Sequence, residues 1–108
     1  MFNIRQGDVY VFSAPKSATP TDAIARDNGR IVLAYGEVTG HAHAIHDAEA
    51  ELFALPNTDD RFLRIMASSG VSLVHEEHTE IHLPPGDYIV RRQREFTSSD
   101  MAPIRVAD

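Results

Sequence analysis

All six histidines lie between positions 41 and 82, in two groups. The first is Gly40-His41-Ala42-His43-Ala44-Ile45-His46, and the second is His75-Glu76-Glu77-His78-Thr79-Glu80-Ile81-His82. On a strand, residues two apart share a face, so His41 and His43 are expected to present two imidazoles side by side. His75 and His78 are three apart and point to opposite faces of a regular strand. They converge only where Glu76-Glu77 turns, bulges or winds into a helical turn. A charged pair is awkward inside a sheet, which favours the turn. A second set, His78, Glu80 and His82, shares one face if a strand begins at His78. Spacing leaves both sets open, and leaves open whether His46 or His82 replaces a ligand. The preferred metal ligands are His41, His43, His75 and His78. His75 follows the apolar run Val71-Ser72-Leu73-Val74 and should face inward, whereas His82, between Ile81 and Leu83, should lie opposite the apolar face.

Imidazoles with an optional carboxylate suit a divalent transition metal such as Zn, Fe, Ni, Cu or Mn. An ion with an open position is a Lewis acid that activates water; one with every position filled is structural. Glu37 and Glu76 are the candidate catalytic proton acceptors beside such an ion. The plainer alternative is a patch of solvent-facing imidazoles that titrates near neutral pH.

The elements that must position these rings read as short strands. Residues 7–12 form a first strand after a turn, and residues 30–35 form a buried one after the turn signal Asn28-Gly29. Residues 13–28 are rich in Ser, Ala, Thr, Pro and Asp, and are expected to be a long loop or mobile flap with one helical turn at 21–26. Gly36 and Gly40 bracket a bulge or tight change of direction. Residues 41–46 continue extended, and 51–55 form a further strand. In the 44–54 window Ala44, Ala48, Ala50 and Leu52 are good helix formers, yet strand is preferred there. Residues 61–67 and 71–75 look like the arms of a hairpin across Ser68-Ser69-Gly70, and 81–83 is a short strand. Pro84-Pro85-Gly86-Asp87 is a turn, since proline presets one dihedral and glycine permits a positive one. Residues 88–96 are the longest strand candidate, and 104–106 add a last one. Eight or nine short strands with close turn signals point to one all-β domain over 1–108, a small barrel or sandwich.

Composition narrows the function classes. There is no cysteine, which removes disulfides, thiolate metal sites and cysteine nucleophiles. The net charge is −6, and the whole excess lies in residues 47–80, with eight carboxylates against two arginines. Such an acidic face disfavours non-specific attraction to nucleic acid. Residues 1–8 lack a positive start followed by an apolar run, so no signal peptide is expected. No stretch nears the roughly 20 apolar residues of a membrane span. A cytoplasmic location without membrane association is expected. Phosphate-binding glycine loops and a Ser-His-Asp arrangement are both lacking.

Gly36-Glu37-Val38-Thr39-Gly40-His41-Ala42-His43 followed by Glu49 loosely resembles the first cupin motif, and Pro84-Pro85-Gly86 resembles the turn of the second. That resemblance implies a small β-barrel with a metal held by histidines from two strands. The chain is also similar to a group of short, uncharacterised bacterial proteins. It shares with them GEVTGHAH at 36–43, HEEH at 75–78, the LPPG to RQRE stretch at 83–95 and the early Gln6-Gly7-Asp8-Val9. This implies a bacterial origin and no particular activity.

The leading expectation is a metal-binding protein with a histidine-rich site; whether it is a small metalloenzyme with a metal-activated water is left open, and a small-molecule ligand is one of the partners considered. The alternative is a non-catalytic binding or regulatory module with a protein partner, or an RNA partner at Arg91-Arg92-Gln93-Arg94. Those arginines have a blander reading as partners of the acidic middle segment. A third reading is a homodimer paired through residues 31–35, if they form an edge strand.

Overall fold

The computed structural model describes residues 2–36, 38 and 40–93. Nine strands run in the order β1 (Asn3–Gln6), β2 (Val9–Ser13), β3 (Ile31–Tyr35), β4 (Ala42–Ile45), β5 (Ala50–Ala54), β6 (Arg61–Ile65), β7 (Val71–His75), β8 (His78–Leu83) and β9 (Gly86–Arg92). They form two antiparallel sheets, one ordered β1-β2-β9-β6-β5 and the other β3-β4-β7-β8. The described residues contain no helix. This is an all-β sandwich.

Alternation builds the core. Val9 and Val11 of β2, Leu52 of β5, Leu63 and Ile65 of β6, and Tyr88 and Val90 of β9 face inward. They meet Ile31, Ile45, Val71, Leu73 and Leu83 from the second sheet. Each fully buried aliphatic side chain contributes roughly 1.5–3 kcal/mol. The other face of the five-stranded sheet carries a cross-strand row of Phe12, Ile89, Phe62 and Phe53. Arginines roof this row: Arg91 lies 5.2 Å over Phe12, and Arg64 lies 5.3 Å over Phe62. Each is anchored by a carboxylate, Arg91 to Asp60 at 2.8 Å and Arg64 to Asp87 at 3.0 Å.

Several expectations need correction. Residues 61–67 and 71–75 are not a hairpin: β6 and β7 belong to different sheets. The turn closed by Gly70 N–H to the Ala67 carbonyl is a corner that carries the chain across the sandwich. Both strands are apolar enough to pair, and burial against opposite layers decided their partners. A strand, β1, precedes the expected first one and pairs Gln6 with Val9 around Gly7-Asp8. Residues 21–26 form no helical turn. Thr21 and Ile24 donate to the Ala54 and Leu52 carbonyls, and Arg26 binds the Asp47, Ala48 and Ala50 carbonyls. The expected flap is therefore stitched to β5. The 44–54 window is strand in both its halves, and β9 is the longest strand. The parts of the expected strands at 94–96 and 104–106 lie outside the described residues.

Candidate metal centre

Four chain segments meet at one end of the sandwich: the β1–β2 turn, the β3–β4 loop, the β7–β8 turn and the end of β9. Between them lies a cleft of about 310 Å³, lined by His41, His43, His75 and His78 together with Asp8 and Arg92.

Register explains why the imidazoles converge. β4 pairs with β7 through Ala44 with Val74 and Ile45 with Leu73. Continuing by one residue sets His43 opposite His75, and their ring centroids are 4.2 Å apart. His75 pairs directly with His78 across the two-residue turn Glu76-Glu77, with centroids 4.6 Å apart. Neither turn residue takes a positive φ, so the turn is not one of the types whose twist matches a hairpin. The register shift between Leu73 and His75 lies next to it and re-aims His75 toward the cleft. On the far side Ala34 pairs with His43, a small residue beside a large ring. One ligand atom from each of His43, His75 and His78 lies within 4.8 Å of the others.

His43 is almost wholly buried, at 2% exposure, and so is Gln6. The Gln6 amide nitrogen donates to the Leu73 carbonyl at 3.1 Å and to the Thr79 carbonyl at 2.9 Å. With both amide hydrogens committed, its oxygen is the acceptor, 2.8 Å from His43 Nδ1. That assigns the His43 proton to Nδ1 and leaves the Nε2 lone pair for a ligand, the arrangement that metal-binding histidines use. Gln6 thereby ties the strand of His43 to those of His75 and His78. Burial, then the neighbouring His75 charge, push the His43 pKa from 6.5 down to about 4, so the ring is neutral at physiological pH.

Asp8 stands at the mouth, with Oδ1 3.5 Å from His43 Nε2, and its other oxygen accepts from Arg92 Nε at 3.0 Å. Gly7 is needed twice over. Its φ is +58°, as the first central residue of a type II′ hairpin turn requires. A Cβ there would come within 2.7 Å of His78 Nε2 and 3.2 Å of His43 Cε1. His75 Nδ1 accepts from the Glu77 N–H at 3.0 Å. Coordination through its Nε2 therefore asks the ring proton to move to Nδ1 and the turn peptide to swing aside.

The chain belongs to the family described as Domain of unknown function (DUF8820). The match covers residues 5–93. No curated protein and no solved structure matches the chain. The DUF8820 span takes in Gln6, Gly7, Asp8, all six histidines and Arg92, so the whole cleft belongs to the family domain. No helix of the described residues is long and apolar enough to cross a membrane.

Of the expected ligands, His43, His75 and His78 come together. His41 lies just before β4, where its carbonyl accepts from Gly36, and its side chain lines the same cleft as His43 without joining the close trio. Its ring meets His75 edge-on at 5.9 Å. Its buried Nδ1 lies 3.2 Å from Glu77 Oε2, out of line for a hydrogen bond. The set His78, Glu80 and His82 does not assemble: His82 is exposed and lies against Gly70 at the far end of β8. His46 is exposed beyond the end of β4. Glu76 accepts from the Ala42 N–H at 2.9 Å, and that bond holds its carboxyl below the usual range. Glu37 lies outside the described residues. Sequence reading missed Gln6, Gly7, Asp8 and Arg92 as site residues. The signal for the first three was the early Gln-Gly-Asp motif, which spacing could not connect to histidines more than thirty residues away; Arg92 stood out only as part of the arginine stretch at 91–94.

Proposed function

We propose that this DUF8820 domain binds one divalent transition metal, Zn, Fe, Ni or Mn, through His43, His75 and His78, and acts as a small metalloenzyme. The observation that carries the reading is the buried Gln6 amide, which commits His43 Nδ1 and turns a neutral Nε2 toward two further imidazoles. A solvent-facing histidine patch has no use for such an arrangement. His43, His75 and His78 would hold the ion as neutral ligands, and it would supply Lewis acidity toward water. The chain's own residues do the rest. Asp8, held by Arg92, brings negative charge to the mouth. Glu77 lines the cleft and is the favoured proton acceptor. Glu76 has its backbone bond to keep, and that bond holds its carboxyl below the usual range.

A macromolecular partner at the outer-face arginine is not proposed, since Arg91 is held by both oxygens of Asp60. Titrating the chelator-stripped chain with each metal at neutral pH tests the proposal. One equivalent should bind, and His43→Ala and His78→Ala should each abolish it. No stoichiometric uptake, or uptake unchanged in both variants, rejects it.

A further inference from the structure

A second cleft, of about 420 Å³, opens between the sheets where β3 approaches β5. Its apolar wall is Ile24, Val32, Leu33, Leu52 and Val90. Two arginines also line it, Arg61 of β6 and Arg92 of β9. Arg61 pairs with Val90, so the two arginines are diagonal neighbours. By alternation both share the face of the core residues Leu63 and Val90. Arg61 is half-buried and the Arg92 side chain is half exposed, so the two guanidinium groups stand at the mouth of the cleft, within reach of an anion from solvent. Arg61 Nη1 is held by the Asp59 and Asp60 carbonyl oxygens, and Arg92 by Asp8 and the Tyr35 carbonyl. These bonds hold both forks at the rim of an apolar cavity. Asp27 and Asp59 line the rim as well, but Asp27 is occupied by the Tyr35 hydroxyl and Asp59 has a partner of its own.

An apolar body with one anionic end matches this lining. We propose that the inter-sheet cleft binds a small apolar monocarboxylate, its hydrocarbon among Val32, Leu33 and Leu52 and its carboxylate facing Arg61 and Arg92. Arg92 lines the histidine cleft too, so the carboxylate end of the guest is the end beside the imidazoles. Such a molecule is then the substrate class of the centre. That last step rests on the metal reading; the binding itself does not.

The test uses hexanoate, hexan-1-ol and hexylamine, titrated into the metal-free chain by calorimetry. Hexanoate should bind saturably, about tenfold or more tighter than the alcohol, and the amine should bind worst. Arg61→Gln should bring hexanoate down to the level of the alcohol, while Arg61→Lys keeps part of the preference. Equal binding of acid and alcohol, a preference for the amine, or full hexanoate affinity in Arg61→Gln overturns the site. Should Arg61→Gln fail to fold, the acid-to-alcohol ratio on the natural chain decides. A second measurement loads the chain with Mn²⁺ and reads the relaxation of hexanoate protons by NMR. Protons beside the carboxylate should relax faster than the terminal methyl. A flat profile with hexanoate still bound ends the substrate step alone; failure to take up Mn²⁺ under any condition counts against the metal reading and leaves the carboxylate site standing.

Discussion

The two sheets differ in regularity, and the candidate chemistry follows the difference. In the five-stranded sheet every ladder runs in unbroken register from β1 to β5. Its outer face is a row of aromatic and aliphatic side chains under arginine–carboxylate pairs, which is an account of stability. In the four-stranded sheet two of three ladders shift register, at Val32/Ala34 beside His43 and at Leu73/His75. A regular strand sends alternate residues to opposite faces, so it cannot aim residues three apart into one cleft. The bulge and the tight turn do that for His75 and His78. The regular sheet supplies the wall, with Gln6, Gly7, Asp8 and Arg92 placed where its strands end. Regular structure here holds the frame, and departures from it aim the imidazoles.

The contrast can be broken by mutation. Leu63→Ala, in the regular layer, should cost the most, about 2–5 kcal/mol, yet leave metal stoichiometry intact below the lowered melting point; loss of metal uptake with little loss of stability would show that the two layers are not separable. A pH titration comes next. His43 has its pKa lowered in the folded chain to about 4, so between there and 6.5 the unfolded chain binds the extra proton. Stability of the metal-free protein should be full above about 6.5 and decline by a few kcal/mol as pH falls toward 4. Glu76, also lowered, adds a loss at still lower pH. A melting temperature flat from pH 7 to 4.5 would contradict the burial assigned to His43.

Gly7→Ala should cost about 1–3 kcal/mol from backbone strain and weaken metal binding by pushing His78 aside. Gly29→Ala is its control, since Gly29 also has positive φ but nothing within 4 Å of an added Cβ; it should lose stability and keep metal affinity. Gln6→Leu should lower metal affinity about 10- to 100-fold, read by competition with a chelating dye, and unchanged affinity would remove Gln6 from the site. Arg91→Ala should change little, about 0.2–1 kcal/mol, with no effect on metal.

Much of the fold was legible because its signals are local. Asn28-Gly29 does make the turn it advertises, both residues taking positive φ, and the apolar runs at 31–35, 71–75 and 88–92 are strands. What failed depended on partners. Ser68-Ser69-Gly70 marks a turn correctly, but whether a turn joins two strands of one sheet or carries the chain between sheets is decided by what each strand buries. His41 and His43 looked equivalent by spacing. Both line the cleft, but only His43 is buried and bonded to Gln6, a partner 37 positions away.

The sequence by itself determined an all-β chain, without cysteine, whose histidines cluster around a charged two-residue turn. These are matters of residue type and short-range periodicity, which act without knowledge of the rest of the molecule. The tertiary structure alone decided that Gln6 meets His43 across 37 positions, that Gly7 makes room for two rings, and that Arg92 stands between two clefts. Such contacts depend on strand order and register. Those are chosen by burial summed over the whole core, and no window of sequence contains that sum.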